Sequence, residues 1–383
     1  MRTSISTSIS DIDPAAWDAL DGGGSPFLRH AFLATLEKTG CVGGDTGWYP
    51  APITLRDERG LLAAAPAYVK THSYGEFVFD FAWANAYARY GLDYYPKLVI
   101  GVPFTPVSGA RLLVRPDADG AKARAALVAA VRAFAESRGL SSVHGLFVSE
   151  ADRVAFEAAD WLPRRDVQFH WINHGYRDFE HYLESFTADK RKKARRERRR
   201  VAELGIRYET LRGADLDTAA IDEVYDLHRG TFLRHHNEPY LTRASFRELR
   251  ALGDAFMIKR ARAGSDTVAA AVFFEGRDAL YGRYWGSREQ HHSLHFETCY
   301  HQGIEYCIER GLTRFESGAQ GEHKVARGFA PATTWSMHWI VDPRFREAIA
   351  DYLRREGEDR EDYARHIGEH VPYRKDPRTK MRS

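Results

Sequence analysis

The run from Glu316 to Lys324, Glu-Ser-Gly-Ala-Gln-Gly-Glu-His-Lys, puts carboxylates, an amide, an imidazole and an ammonium on one glycine-spaced turn. Transfer of an acyl or aminoacyl group to an amine calls for those types. It needs a base to take the amine proton, donors for the tetrahedral oxyanion, and an acid for the leaving oxygen or sulfur. Glycines 318 and 321 let the turn come close to a ligand. Upstream, His295 and Glu297 open an apolar-striped segment. On residue type, Glu297 and Glu322 are the candidate general bases. His323 is an alternative base, since imidazole titrates near neutrality, and Lys324 is the candidate donor to an oxyanion or phosphate. Arg283, Trp285, His295, Glu316 and Gln320 are the candidate substrate-binding residues around them. Singly, each reads equally well as a capping or surface residue, but as a cluster they are poor core material.

A second group lies nearer the N-terminus: Tyr74, Glu76, Asp80, Trp83, Tyr95 and Lys97. Phe77, Phe79 and Phe81 alternate with Glu76, Val78 and Asp80, which predicts the phenylalanines inward and the acids outward. Lys97, between Pro96 and Leu98, is the candidate for holding an anionic acceptor, with Tyr95 beside it. His291, His292 and His295 with Glu297 raise the question of a metal. Only 291 and 295 have the helical spacing of ligand pairs, and only if the helix starts early, so no metal is expected.

Residues 190–200 read KRKKARRERRR, nine Lys or Arg among eleven with one acid, Glu197. Thr187 is a candidate N-cap for the helix carrying them, and Phe179, Tyr182, Leu183 and Phe186 form an apolar face before it. A helix basic on every face buries little. One reading is a solvated helix. The other is a seat for a polyanion (tRNA, a nucleotide diphosphate or coenzyme A), with Lys190, Lys192, Lys193, Arg195, Arg196 and Arg199 as the contacts. The formal net charge of the chain is only +2, so any such surface is local.

The elements that must position these groups alternate between strand and helix. Ser25 and Pro26 open a helix through Leu36, and Ala51–Leu55 pairs with Leu61–Val69 as a hairpin. Leu127, Val131 and Phe134 mark a helix that Gly139 ends, and strands are expected at 141–148 and 167–172 around a short helix at 151–159. In the second half, strands are expected at 255–263, 268–275 and 279–285. A helix at 296–310 ends at Gly311, then come a strand at 313–316, a helical turn at 322–328 and a strand at 333–341. The order recurs at a spacing of roughly 165 residues. A chain of 383 residues suits two such domains. The expected division is an N-terminal segment 1–24, domains at 25–175 and 176–352, and a C-terminal helix with a basic tail at 353–383. Three scattered cysteines exclude a disulfide framework, and no stretch is apolar enough for a membrane span, so a reducing, cytoplasmic setting is expected.

TADKRKKARRERRRVAELGIRYETL resembles the Lys/Arg-rich helix that opens the second domain of Fem-type aminoacyl transferases. YYPKLVIGVPFTPVSGARLL, LYGRYWGSREQHHSLHFETCYHQGIEYCIERGL and FESGAQGEHKVARGF resemble the FemAB-like, peptidoglycan biosynthesis/recognition branch of the GNAT acyltransferase superfamily. The resemblance runs from about Ser25 to Tyr352. It implies an α/β fold of two tandem GNAT-like domains, each a mixed twisted sheet flanked by helices, with a substrate cleft. It also implies aminoacyl-tRNA as donor, a peptidoglycan-precursor amine as acceptor, and no tightly bound cofactor. One departure bears on the donor. Acyl-CoA-using members carry a glycine-rich pyrophosphate loop, whereas here no glycine follows Gly286 until well past His295. An acetyl-CoA-dependent N-acetyltransferase is therefore the alternative reading. A non-catalytic peptidoglycan- or RNA-binding protein is a second alternative.

Overall fold

The computed structural model describes residues 1–234, 236–288, 291, 293–318 and 321–374. The basic tail expected after the last helix falls almost wholly outside them, as do Gln320 and His292. The chain forms two compact units. One holds Met1–Val167, Tyr240–Leu252 and Thr333–Glu361; the other holds Gln168–Pro239, Gly253–Ala332 and the segment from Asp362. Both are α/β, with mixed sheets flanked by helices.

In the first unit, a four-stranded antiparallel sheet runs Arg2–Ile5, Ile53–Asp57, Gly60–Ala65, Leu113–Val114. The N-terminal segment thus supplies an edge strand to this unit. The expected single strand at 61–69 is split at Pro66. Gly60–Ala65 stays in this sheet, while Ala67–Lys70 joins a second one, because proline has no N–H to continue a ladder. The second sheet orders Trp48–Pro50, Ala67–Lys70, Lys97–Ile100 and Ser142–Gly145, with Lys97–Ile100 and Ser142–Gly145 parallel. Residues 337–340, from the far end of the sequence, close it antiparallel to Ser142–Gly145. Helix Gly120–Ser137 covers the apolar face through Leu127, Val128, Val131 and Ala135; of the predicted stripe Leu127 and Val131 are buried and Phe134 packs partly buried beside them. Pairing of His338 with His144 across the last two strands sets their Nδ1 atoms 2.7 Å apart, fully buried; Ser336, Ser142 and Tyr94 bond the outer nitrogens.

The second unit's sheet runs Ile206–Arg212, Phe256–Ala263, Asp266–Glu275, Ala279–Ser287, antiparallel throughout. Arg314–Glu316 joins it in parallel to Ala279–Ser287, and residues 170–172 pair antiparallel with Arg314–Glu316. Each unit's sheet therefore takes residues from the last strand of the opposite half of the sequence. Strand Ile206–Arg212, helix Thr218–Arg234 and the full C-terminal helix Pro343–Gly368, which starts ten residues before the expected 353, were not read from the sequence. The helix expected at 296–310 is composite: an α-turn Leu294–Phe296, a π-turn Glu297–His301 and α-helix Gln302–Arg310, ended by Gly311 as predicted. At the opening 25–36 segment, Pro26–Leu28 is a 3₁₀ turn and the α-helix begins at His30; the Ser25 side chain makes no capping bond.

Candidate active site

Parallel strands Ala279–Ser287 and Arg314–Glu316 pair only as far as Tyr281 with Glu316. Beyond that point the longer strand runs on to Ser287 with an irregularity at Arg283, while the shorter one turns away. Where the two strands part, Arg283 and Trp285 follow on the longer one, and Glu316 ends the shorter one, followed by Ser317. Gly318 and Gly321 are both at positive φ; a Cβ on Gly321 would sit 2.4 Å from the His323 ring. The 3₁₀ turn Glu322–Arg327 follows, and the buried Nζ of Lys324 on it donates to the Gly318 carbonyl at 2.7 Å.

The carboxylates differ sharply in what they hold. Glu316 is buried; its Oε1 accepts from Arg314 Nε at 2.9 Å, and its Oε2 has no hydrogen-bond partner among the described residues. His170 Nε2 lies 3.8 Å away, but burial depresses that imidazole's pKa and leaves it neutral. Ser317 Oγ, next in the chain, is likewise buried and unpartnered among the described residues. Glu297 is buried too, but both oxygens are taken: Gln302 Nε2 and His301 Nδ1 each bond it at 2.9 Å, and Arg198 Nε lies at 3.2 Å. Burial raises its pKa, yet His301 and Arg198 outweigh that and hold it below the ordinary carboxylate value. Glu322 is exposed and accepts from Tyr363 Oη at 2.7 Å. Of the two bases chosen on residue type, one is saturated and the other lies at the surface. The open carboxylate is Glu316, which the sequence reading placed among the binding residues; Ser317 was not singled out at all.

Burial first, and then the Arg283 guanidinium, lower the Lys324 pKa to about 7. His323 is exposed, with Nε2 2.8 Å from Tyr300 Oη; burial of its ring and the charges of Lys324 and Arg327 lower its pKa. His295 packs edge-on to Trp285 and Tyr300, with centroids at 5.1 and 5.3 Å, and burial together with neighbouring cations lowers it to about 4. Both imidazoles are neutral near pH 7. Gln320 lies outside the described residues.

The basic helix Ala188–Glu203 is built onto this site by its inner face. Ala194, Glu197 and Val201 are buried, and Glu197 Oε1 accepts from Arg327 Nη2 at 2.8 Å. Arg198 reaches Glu297 and Glu305, and Arg327 lies over the Phe296 ring at 3.5 Å. The expectation that this helix buries little is corrected here: Glu197, the one acid of residues 190–200, supplies a buried ion pair. Lys192, Lys193 and Arg196, and Lys190 at the first turn, are exposed with no ion pair among the described residues. Arg195 and Arg199 are exposed but bound to Glu180 and Glu203.

Gly286 serves packing. A Cβ there would lie 2.1 Å from the Leu227 carbonyl carbon, so glycine is what lets helix Thr218–Arg234 lie against the strand.

In the first unit Lys97 is not available to an anionic acceptor. Its buried Nζ donates to Ser73 Oγ and Glu76 Oε2 at 2.8 Å and to Asp80 Oδ2, which uses all three protons. Tyr95 Oη bonds Ser73 Oγ at 2.9 Å. The alternation around it is inverted relative to expectation. Glu76 and Asp80 point inward because Lys97 and Lys70 need counter-charges, and Phe79 and Phe81 are left outside.

The chain matches the family described as FemAB-like, peptidoglycan biosynthesis/recognition, over residues 8–375. No curated protein matches the sequence. Among solved structures, FemX superposes with a TM-score of 0.55 at 11% identity, covering 91% of this chain and 100% of that one. The C-terminal domain of a putative lysylphosphatidylglycerol synthetase from Agrobacterium fabrum gives 0.55 at 11% identity, covering 92% and 96%. A conserved protein of unknown function from Bacteroides thetaiotaomicron gives 0.51 at 12% identity, covering 87% and 98%. These likenesses are of fold, and they agree with the tandem α/β architecture expected from the sequence.

Proposed function

Because the chain belongs to the FemAB-like family, we propose that it is an acyl-group transferase that moves an amino acid from aminoacyl-tRNA to an amine of a peptidoglycan precursor or small molecule. The observation that carries this reading is the two-faced basic helix. Its inner face is locked by Glu197–Arg327 to the turn bearing Lys324, and its exposed surface carries cations without an ion pair among the described residues, Lys190, Lys192, Lys193 and Arg196 among them. A polyanionic donor held there has its charged body on one side of the turn where the chemistry takes place. The donor then implies action in the cytoplasm, and no resident cofactor is required.

In this reading Glu316 Oε2 and Ser317 Oγ, at the point where the two strands part, receive the acceptor amine. The amine lone pair adds to the donor carbonyl carbon as Glu316 takes the amine proton. Lys324, as an ammonium, donates to the oxyanion. Collapse breaks the carbon–oxygen bond to the donor, and the proton held by Glu316 returns to the leaving oxygen. His323 is the alternative base, at the rim of the same turn. Arg283 and Trp285 form the wall on the strand side.

The test is a thermal-shift and direct-binding titration with acetyl-CoA, coenzyme A and a mixed aminoacyl-tRNA pool, at low and high salt. The reading expects tRNA to bind, the coenzyme not to, and replacement of Lys190, Lys192, Lys193 and Arg196 by Gln to weaken tRNA binding strongly, most at low salt. Tight acetyl-CoA binding with only salt-labile tRNA association replaces it with an acyl-CoA-dependent N-acetyltransferase.

A further inference from the structure

The turn Glu322–Arg327, which carries His323 and Lys324, has little of its own to hold it. A 3₁₀ turn of six residues makes few internal bonds, and glycines at positive φ, Gly321 and Gly328, flank it on both sides. What fixes it comes from the end of the chain. Residues from Asp362 onward belong to the second unit, where Tyr363, Ile367 and Val371 pack against its core. From this segment Tyr363 Oη donates to Glu322 Oε1 at 2.7 Å, on the first residue of the turn. Tyr373 Oη donates to the Gly328 carbonyl at 2.6 Å, just past the last. Tyr182 Oη, on helix Phe179–Glu184, donates to the neighbouring Arg327 carbonyl at 2.7 Å. A Cβ on Gly328 would sit 2.1 Å from the Tyr182 hydroxyl oxygen and 2.7 Å from that of Tyr373, so both hydroxyls close directly on the glycine. The segment is itself anchored. Thr187 N donates to the Pro372 carbonyl and Arg374 N to that of Ser185, each at 2.9 Å. Phe186 and Tyr373 form a β-bridge with their rings edge to face at 5.5 Å. Two hydroxyls on one anchored segment thus grip both ends of the turn, with Lys324 between them.

We propose that Tyr363 and Tyr373 are positioning residues, and that the C-terminal segment is a brace that keeps Lys324 Nζ on the Gly318 carbonyl, next in the chain to Ser317. This rests on the transfer reading above for what Lys324 does, but not for where it is held. Both tyrosines act through the turn and not on substrate. Freeing either end of the turn lets water reach the buried ammonium, and hydration favours its charged form. The groups whose charge bears on Lys324 are Arg283, Cys299, His170 and His295 on surrounding elements, and Glu322 and His323 on the turn itself. Removing a tyrosine hydroxyl leaves all of these in the chain, so it changes hydration rather than the charge set. Glu322→Gln keeps an accepting oxygen for Tyr363 and so keeps the brace.

The test follows Lys324 in the full-length protein by NMR titration of isotope-labelled lysine side chains, its signal being the one that Lys324→Arg removes. Steady-state transfer is measured alongside. The unaltered protein titrates at about 7. Tyr373→Phe and Tyr363→Phe each raise that midpoint by roughly one pH unit or more. They also lower kcat roughly ten- to a hundredfold, with KM unchanged, because the donor to the oxyanion is misplaced. Tyr352→Phe is the control. It lies on the same helix, Pro343–Gly368, loses a hydroxyl bond to Glu356, and changes neither quantity. The Tyr363 bond is exposed, so that variant folds even if Tyr373→Phe does not. A Lys324 midpoint unmoved by Tyr363→Phe overturns the proposal, as does a loss of kcat that Tyr352→Phe reproduces. The transfer reading fails separately: if the unaltered protein moves no aminoacyl group, that reading falls while the titration still decides the brace.

Discussion

Glu297, Glu316 and Glu322 belong to the same stretch of candidate chemistry but sit in three different electrostatic settings. Glu297 is surrounded by His301, Gln302 and Arg198, Glu322 faces solvent and Tyr363, and Glu316 keeps one buried oxygen open. If Glu316 is the proton acceptor, Glu316→Gln lowers kcat/KM by roughly 10²–10⁴-fold, the usual worth of general-base catalysis. Glu322→Gln then leaves it nearly unchanged; steady-state transfer assays on both variants decide the matter. Lys324 gives a pH signature. Its ammonium must be present to donate, and that form is lost as pH rises through about 7. The rate therefore falls on the alkaline side from near neutrality, and Lys324→Arg, which stays charged, moves that limb to higher pH. A pH–rate profile without an alkaline limb near 7 removes Lys324 from this role. The sequence supplied the residue types of this site, since a polar turn spaced by glycines is conspicuous. Which carboxylate is open depends on partners such as Arg198, about a hundred residues away in the chain, and no local spacing encodes that.

The basic helix shows the same division at the scale of an element. Its existence and its opening near Thr187 were legible from composition and from the apolar residues on either side. That Glu197 faces inward onto Arg327 was not, because helical periodicity is faint where nearly every position is charged. Glu197→Gln leaves a buried, unpaired guanidinium and should cost about 3–5 kcal/mol of stability, read by urea denaturation. Replacing Lys190, Lys192, Lys193 and Arg196 by Gln should leave stability alone and flatten the salt dependence of tRNA affinity, reducing the slope of log K against log salt by roughly 3. An unchanged slope places the polyanion elsewhere. The π-turn Glu297–His301 was invisible in the sequence, because one extra residue in a helix hardly disturbs the apolar stripe.

For the molecule as a whole, the buried His144–His338 pair makes stability depend on pH. Burial, and then the Lys97 charge, lower the His144 pKa to about 3, against about 6.5 for an unfolded histidine. Between these values the unfolded chain binds more protons, so this contribution is complete above about pH 6.5 and is lost as pH falls toward 3. Glu76, raised by burial to about 7, acts in the opposite sense over part of that range, while Asp80 and Lys97 stay charged. The pair's share is therefore read by difference. The melting temperature of His338→Asn should fall less steeply from pH 6.5 to pH 4 than that of the unaltered protein. Parallel curves would show that the imidazoles do not set the acid limit.

By itself the sequence determined the α/β class, the positions of most strands and helices in the second half, the polar turn at 316–324 and the cationic character of 190–200. All of these follow from short-range patterns of periodicity, turn residues and charge. The tertiary structure alone decided that residues 170–172 and 337–340 each complete a sheet built mainly from the other half of the sequence. It also decided that Glu76 and Asp80 turn inward while the aromatics beside them stay out, and that Glu316 rather than Glu297 keeps an open oxygen. Each of these outcomes turns on a long-range partner: a strand edge needing hydrogen bonds, an ammonium needing counter-charges, a carboxylate already occupied. Hydrogen bonding and charge neutralisation in a low-dielectric interior outweigh local alternation there, and such pairings exist only once the chain has folded.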